Sequence, residues 1–127
     1  MLPAPRRMRH RLEISTVVRS GDRAGCRLLV VHGVAAQRPG CARFAFAVGR
    51  NVGNSVQRHK VTRRFRHLVM ADVDDWDQLE MDFVVRALPP AATASSDELR
   101  VGLAKCRRRL ARNLDDTLRG HAAGSSP

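Results

Sequence analysis

The chain has no tyrosine, a single tryptophan and four phenylalanines among its 127 residues. Base stacking on protein aromatics is therefore expected to be sparse in anything it binds. It has three cysteines, Cys26, Cys41 and Cys106, none close to another in sequence. An odd, scattered set argues against a disulfide framework. It also argues against a zinc site, whose ligands cluster. No apolar run approaches the ~20 residues of a membrane span. Residues 1–11 carry four arginines and no acid, but no apolar stretch follows them, so no secretory signal is expected and the protein reads as cytoplasmic. Acids are scarce in one half only. The first 70 residues hold Glu13 and Asp22 and no other carboxylate side chain.

Cations are abundant where acids are missing. The same 70 residues hold 15 Lys or Arg, whereas residues 71–127 hold 8 against 10 acids. The whole chain carries a net charge of +11, from 21 Arg and 2 Lys against 12 acids. A field that lopsided concentrates polyanions around one part of the molecule. Arginine suits phosphate, because its planar fork donates two parallel hydrogen bonds. A membrane-surface helix would need large apolar residues opposite its cations. The N-terminal basic stretch lacks them.

Hydrophobic residues make up 43% of the chain, enough for a modest core in one domain. Residues 9–20 read as a short helix with Leu12, Ile14, Val17 and Val18 as apolar positions and Gly21 as its stop. Residues 26–34 read as a strand, 35–40 as a turn around Pro39-Gly40, and 42–48 as a second strand with Phe44, Phe46 and Val48 on one face. A helix is expected over residues 54–71, capped by Asn54 or Ser55. On it Val61, Phe65, Leu68 and Val69 gather within about 100° of arc. Residues 72–82 read as a solvated acidic connection, and 82–88 as a third strand. Ser95 and Glu98 have capping-box spacing before a last helix that buries Leu99, Leu103, Cys106, Leu110 and Leu114 and ends before Gly120. The order is α-β-β-α-β-α: an α+β sandwich of helices on a small mixed sheet. The ordered core is expected over about residues 8–118, with loose ends at 1–7 and 120–127.

Residues 50–66 carry the functional signal. They hold six Lys or Arg and no acid. A merely solvated helix face mixes both signs, because i,i+4 pairs of opposite charge support it. Here one face locks to a core and the rest presents cations, as tracking of a phosphate backbone requires. A helix-turn-helix DNA reader is disfavoured, because strands flank this helix instead of a second helix and a tight turn.

The segment resembles the signature of the bacterial ribonuclease P protein family. It is carried by Val52-Gly53-Asn54-Ser55-Val56, then Arg58-His59, then Arg63 and Arg66. Met1-Leu2-Pro3, the Arg-rich stretch at residues 7–12, Glu13-Ile14, Gly21, and Asp82-Phe83-Val84-Val85 with Arg86 and Pro89 follow in the family's order, over about residues 2–115. His59, Thr62 and Asn51 stand where the family has Asn, Lys and Lys, and Ile14 replaces an aromatic.

The resemblance implies a left-handed β-α-β crossover, against the general right-handed preference. It implies a protein subunit that binds a catalytic RNA through Arg50, Gly53, Asn54, Arg58, His59, Lys60, Arg63, Arg64 and Arg66. It further implies a cleft between the first helix and the sheet for the single-stranded 5′ leader of precursor tRNA. Its candidates are Arg11, Ile14, Val17, Val18, Phe44, Phe46 and Arg86. No catalytic side chain, no protein-held cofactor or metal, no membrane and no obligate protein partner are expected. Mg²⁺ would belong to the RNA. The rival reading is a generic RNA- or ribosome-binding module without an enzyme partner.

Overall fold

The computed structural model describes residues 2–36 and 40–124. In chain order it contains α1 (Arg11–Ser20), β1 (Asp22–Gly25), β2 (Leu29–Ala35), β3 (Phe44–Ala47), α2 (Ser55–Ala71), α3 (Val73–Asp77), β4 (Met81–Ala87) and α4 (Ser96–Gly124). Short 3-10 turns stand at Ala4–Arg6 and Pro89–Ala92. The strands form one mixed sheet in the order β1-β2-β4-β3. β3 runs parallel to β4 and the other pairs are antiparallel.

The two-residue period of the strands sorts their side chains onto two faces. On one face Leu29, Val31, Phe44, Phe83 and Val85 meet Val61, Phe65 and Val69 of α2 and Leu99, Leu103, Cys106 and Leu110 of α4. On the other face Ala45 and Val84, joined by Val34 and Ala47, meet Val17, Ile14 and Met8. That second layer is α1 lying across the sheet.

Local chemistry explains the helix starts. The Asn54 side chain accepts the Gln57 amide at 2.9 Å, and the Gln57 side chain accepts the Asn54 amide at 2.9 Å. Ser95 and Glu98 repeat this reciprocal box at 3.0 and 3.1 Å, as their spacing predicts.

Four expectations are corrected. The strand expected over residues 26–34 begins only at Leu29 and is the second arm of a hairpin whose first arm is β1, with the Cys26 amide in the turn donating to the Leu29 carbonyl at 2.9 Å. Asp-Arg-Ala-Gly is too short and polar to show strand periodicity. The acidic connection is not simply solvated. It forms α3, where Trp76 is 1% exposed and packs edge-on against Phe83 and Phe44 at centroid distances of 4.8 and 5.6 Å. Arg107 of α4 covers that ring at 5.5 Å and sits 3.7 Å from both Asp72 and Asp75. The helix α4 continues through Gly124 instead of stopping before Gly120. Residues 125–127 and Met1 lie outside the described residues, as does Pro39 of the expected turn.

The fourth correction concerns residues 2–7, expected as a loose end. Leu2 is 2% exposed. The Arg6 guanidinium donates two hydrogen bonds to the Asp77 carboxylate, both at 2.8 Å, and Asp77 also accepts the Ala42 amide at 2.8 Å. The Met8 amide donates to the Phe44 carbonyl at 2.9 Å. This strap covers the outer edge of β3, which would otherwise offer unpaired backbone.

The Arg6 hydrogen bonds, more than any other cause, hold the Asp77 carboxyl below its ordinary range. A depressed folded value means the contribution is present above the ordinary carboxylate value of about 3.9 and is lost as pH falls through the folded one. Asp77→Asn is therefore expected to lower stability by about 1–2 kcal/mol at neutral pH. Its denaturation midpoint should converge with the parent's in acid. A deficit that persists unchanged in acid would assign the loss to packing instead.

Candidate nucleic-acid interface

Helix α2 is anchored by one stripe and presents the rest. Val61, Phe65 and Val69 are 1%, 0% and 0% exposed. His59, Lys60, Arg63, Arg66 and His67 are exposed, and so is Arg50 in the turn leading to the helix. Every ion pair among the described residues involves Arg6, Arg27, Arg43 or Arg107. The cations of α2 thus have no carboxylate partner there and repel one another until an anion arrives.

Three of the expected RNA contacts, Arg64, Gly53 and Asn54, also have structural duties. Arg64 is half-buried and donates to the Ala94 carbonyl at 3.1 Å, which fastens α2 to the turn before α4. Arg58 is half-buried, and its Nε is enclosed without a partner. The Thr62 hydroxyl donates to the Arg58 carbonyl at 2.9 Å and so faces its own helix. Gly53 has φ +159, and a Cβ there would collide with the Gln57 side chain that completes the helix cap. Asn54 acts as that cap, so the Gly-Asn pair shapes the start of α2 as well as standing beside its cations.

The second surface lies beside α1. Val17 is 3% exposed and forms the contact that seats α1 on the sheet. Ile14 is half-buried, and Val18, 39% exposed, and Arg11 face outward. The sheet floor here consists of Ala45, Ala47 and Val84. Phe44 and Phe46, expected in this cleft, pack mainly on the opposite face of the sheet and reach the α1 side only at the outer edge of β3, where both line a hollow with Ile14. Phe44 is 1% exposed between Trp76 and Phe83, and Phe46 stacks on Phe65 at 6.1 Å. The strand pleat puts Ala45 and Ala47, not the phenylalanines, under α1.

His32 was missed from sequence. It pairs across the sheet with Arg23 on one side and Val84 on the other. It is 2% exposed, and neither ring nitrogen has a hydrogen-bond partner. Burial first, then the charges of Arg86 and Arg23, lower its basicity, so the ring is neutral at pH 7. A lone histidine within Leu-Leu-Val-Val-His-Gly-Val was the available signal. Arg86 is exposed on the same floor, where alternation along β4 places it with Val84.

Arg43 fixes α1 in place. Its Nη2 donates to Glu13 of α1 at 2.6 Å and to Asp82 of β4 at 2.8 Å. At the outer edge of β3, Arg9, Ile14, Phe46 and Arg66 line a hollow of about 220 Å³. The hollow joins the α1 side of the molecule to the cationic face of α2, so the two surfaces are contiguous. Together they offer phosphate-binding cations next to a shallow, mostly apolar floor.

Comparison with known proteins agrees with this arrangement. The family described as Ribonuclease P matches residues 2–111. The ribonuclease P protein component of Kocuria rhizophila is 50% identical over 99 residues, covering 78% of this chain and 86% of that one. The corresponding component of Corynebacterium diphtheriae is 42% identical over 106 residues, covering 79% and 88%. The RNase P protein of Staphylococcus aureus superposes with a TM-score of 0.71 at 19% identity, over 81% of this chain and 93% of that one. That of Thermotoga maritima gives 0.68 at 18%, over 80% and 96%.

Proposed function

Because the chain belongs to the ribonuclease P protein family, we propose that it binds the catalytic RNA of that enzyme through α2 and the single-stranded 5′ leader of precursor tRNA beside α1. Membership sets aside the generic module without an enzyme partner. The observation that carries the reading is the face of α2. Lys60, Arg63 and Arg66 are exposed, free of carboxylates, and held in fixed geometry by a buried stripe.

The protein's part is binding and orientation. Water attacks the phosphodiester at the leader junction, leaving a 5′-phosphate on the tRNA and a 3′-hydroxyl on the leader. Metal-assisted activation of that water is assigned to Mg²⁺ in the RNA. Five of the chain's carboxylates are engaged by arginines. Asp77 is held by Arg6, Glu13 and Asp82 by Arg43, and Asp72 and Asp75 by Arg107. The surface beside α1 suits a single strand whose bases lie on the half-buried Ile14 and Ala47 while Arg86 and Arg11 reach its phosphates.

Titration of the catalytic RNA with the protein over a range of salt tests the electrostatic part. Four phosphate contacts predict a log–log slope of about −3. A slope near zero would remove the case for α2.

A further inference from the structure

The scattered cysteines do not stay scattered. Cys26 occupies the turn between β1 and β2, and α4 crosses directly over it. A Cβ at Gly102 would stand 3.2 Å from the Cys26 sulfur and 3.4 Å from a Leu29 methyl, so the turn reaches the helix only because residue 102 has no side chain. Cys106 lies one turn further along the same side of α4 and is 1% exposed. Burial, then the neighbouring Cys26 thiol, pushes the Cys106 thiol up to about 12. Arg109 closes the arrangement by donating to the Gly25 carbonyl at 2.9 Å. Cys26 itself is half-buried and lines an open groove with Val101 and Lys105, so small oxidants reach it. Cys41 lies elsewhere, beside the Pro5 carbonyl of the N-terminal strap.

We propose that Cys26 and Cys106 are a peroxide-oxidisable dithiol whose disulfide ties the β1–β2 turn to α4. Cys26, the thiol that solvent reaches, attacks hydrogen peroxide as its thiolate. The O–O bond breaks, one water is released, and the sulfur becomes a sulfenic acid. Cys106 then displaces the sulfenic oxygen as a second water, forming the S–S bond. Two thiols and one peroxide give one disulfide and two waters, so the sulfurs lose two electrons and the peroxide gains them. The high basicity of Cys106 makes the second step the slower one. The bond would close a long loop, which constrains the unfolded chain more than a short one does. The inference does not depend on the RNA-binding reading.

The full-length protein is treated with hydrogen peroxide under native conditions, and the remaining thiols are blocked and mapped by peptide mass. The free-thiol count should fall from three to one, with Cys26 linked to Cys106 and Cys41 still alkylated. The Tm of the oxidised form should rise by about 5 °C or more and return on reduction. Cys26→Ser should abolish both changes, and Cys41→Ser should leave both intact. Cys26 recovered as sulfinic acid with Cys106 free, or linkage only through Cys41, would overturn the proposal.

Discussion

Reversing the charge of Arg63 and Arg66 together, as Arg63→Glu with Arg66→Glu, is expected to weaken binding of the ribonuclease P RNA by about 100- to 1000-fold, or about 3–4 kcal/mol. Both side chains are exposed and neither makes an ion pair among the described residues. The change removes two phosphate contacts and adds two repulsions, while the stripe of Val61, Phe65 and Val69 keeps α2 seated. The log–log salt slope should become shallower by about 1.4–1.8. The matched control is Arg108→Glu on α4, also exposed. It changes net charge at a site outside the proposed interface and should cost less than about 5-fold. Arg107 is no control, since it stacks on Trp76 and pairs with Asp72 and Asp75. Equal losses at Arg108 and at the α2 pair would mean that total charge, not α2, sets affinity.

The second large effect concerns the leader. Placing carboxylates beside the floor with Val18→Glu and Arg86→Glu should lower affinity for leader-bearing precursor tRNA by about 10- to 100-fold in the holoenzyme. Affinity for mature tRNA and for the catalytic RNA should change little. Val18 is 39% exposed and Arg86 is exposed, so neither substitution disturbs the core. Competition between precursor and leaderless tRNA reads the difference directly. Parallel losses for both would place the damage in RNA assembly, and would separate failure of the leader site from failure of α2.

Helix α2 was legible from sequence because its signals are local. A cap, a 3.6-residue apolar stripe and an unbalanced run of cations sit within residues 54–71. The α4 start was legible for the same reason, through Ser95 and Glu98. The surface proposed for the leader was only half legible. Helix periodicity marks Ile14, Val17 and Val18 as apolar positions and the family resemblance alone assigns them to a cleft, while which face of β3 meets α1 depends on tertiary packing. The apolar alternation of Phe44, Phe46 and Val48 marked a buried face without saying which layer buried it. The larger layer, α2 with α4 and Trp76, took the phenylalanines, and α1 received the alanines between them. The strap at residues 2–8 was invisible because its anchor, Asp77, lies far along the chain in a segment whose acids looked solvated. His32 stood in plain view within an apolar strand. Only the structure reveals that both of its nitrogens lack partners, beside Arg23 and Arg86.

Cleavage of a leader-bearing precursor tRNA by the cognate catalytic RNA at low Mg²⁺, with and without this protein, is the most direct test of its role as the subunit. Protein-dependent cleavage at the mature 5′ end, with no cleavage by the protein alone, is the expected result. Cleavage that is unchanged by the protein, or that proceeds without the RNA, would contradict it.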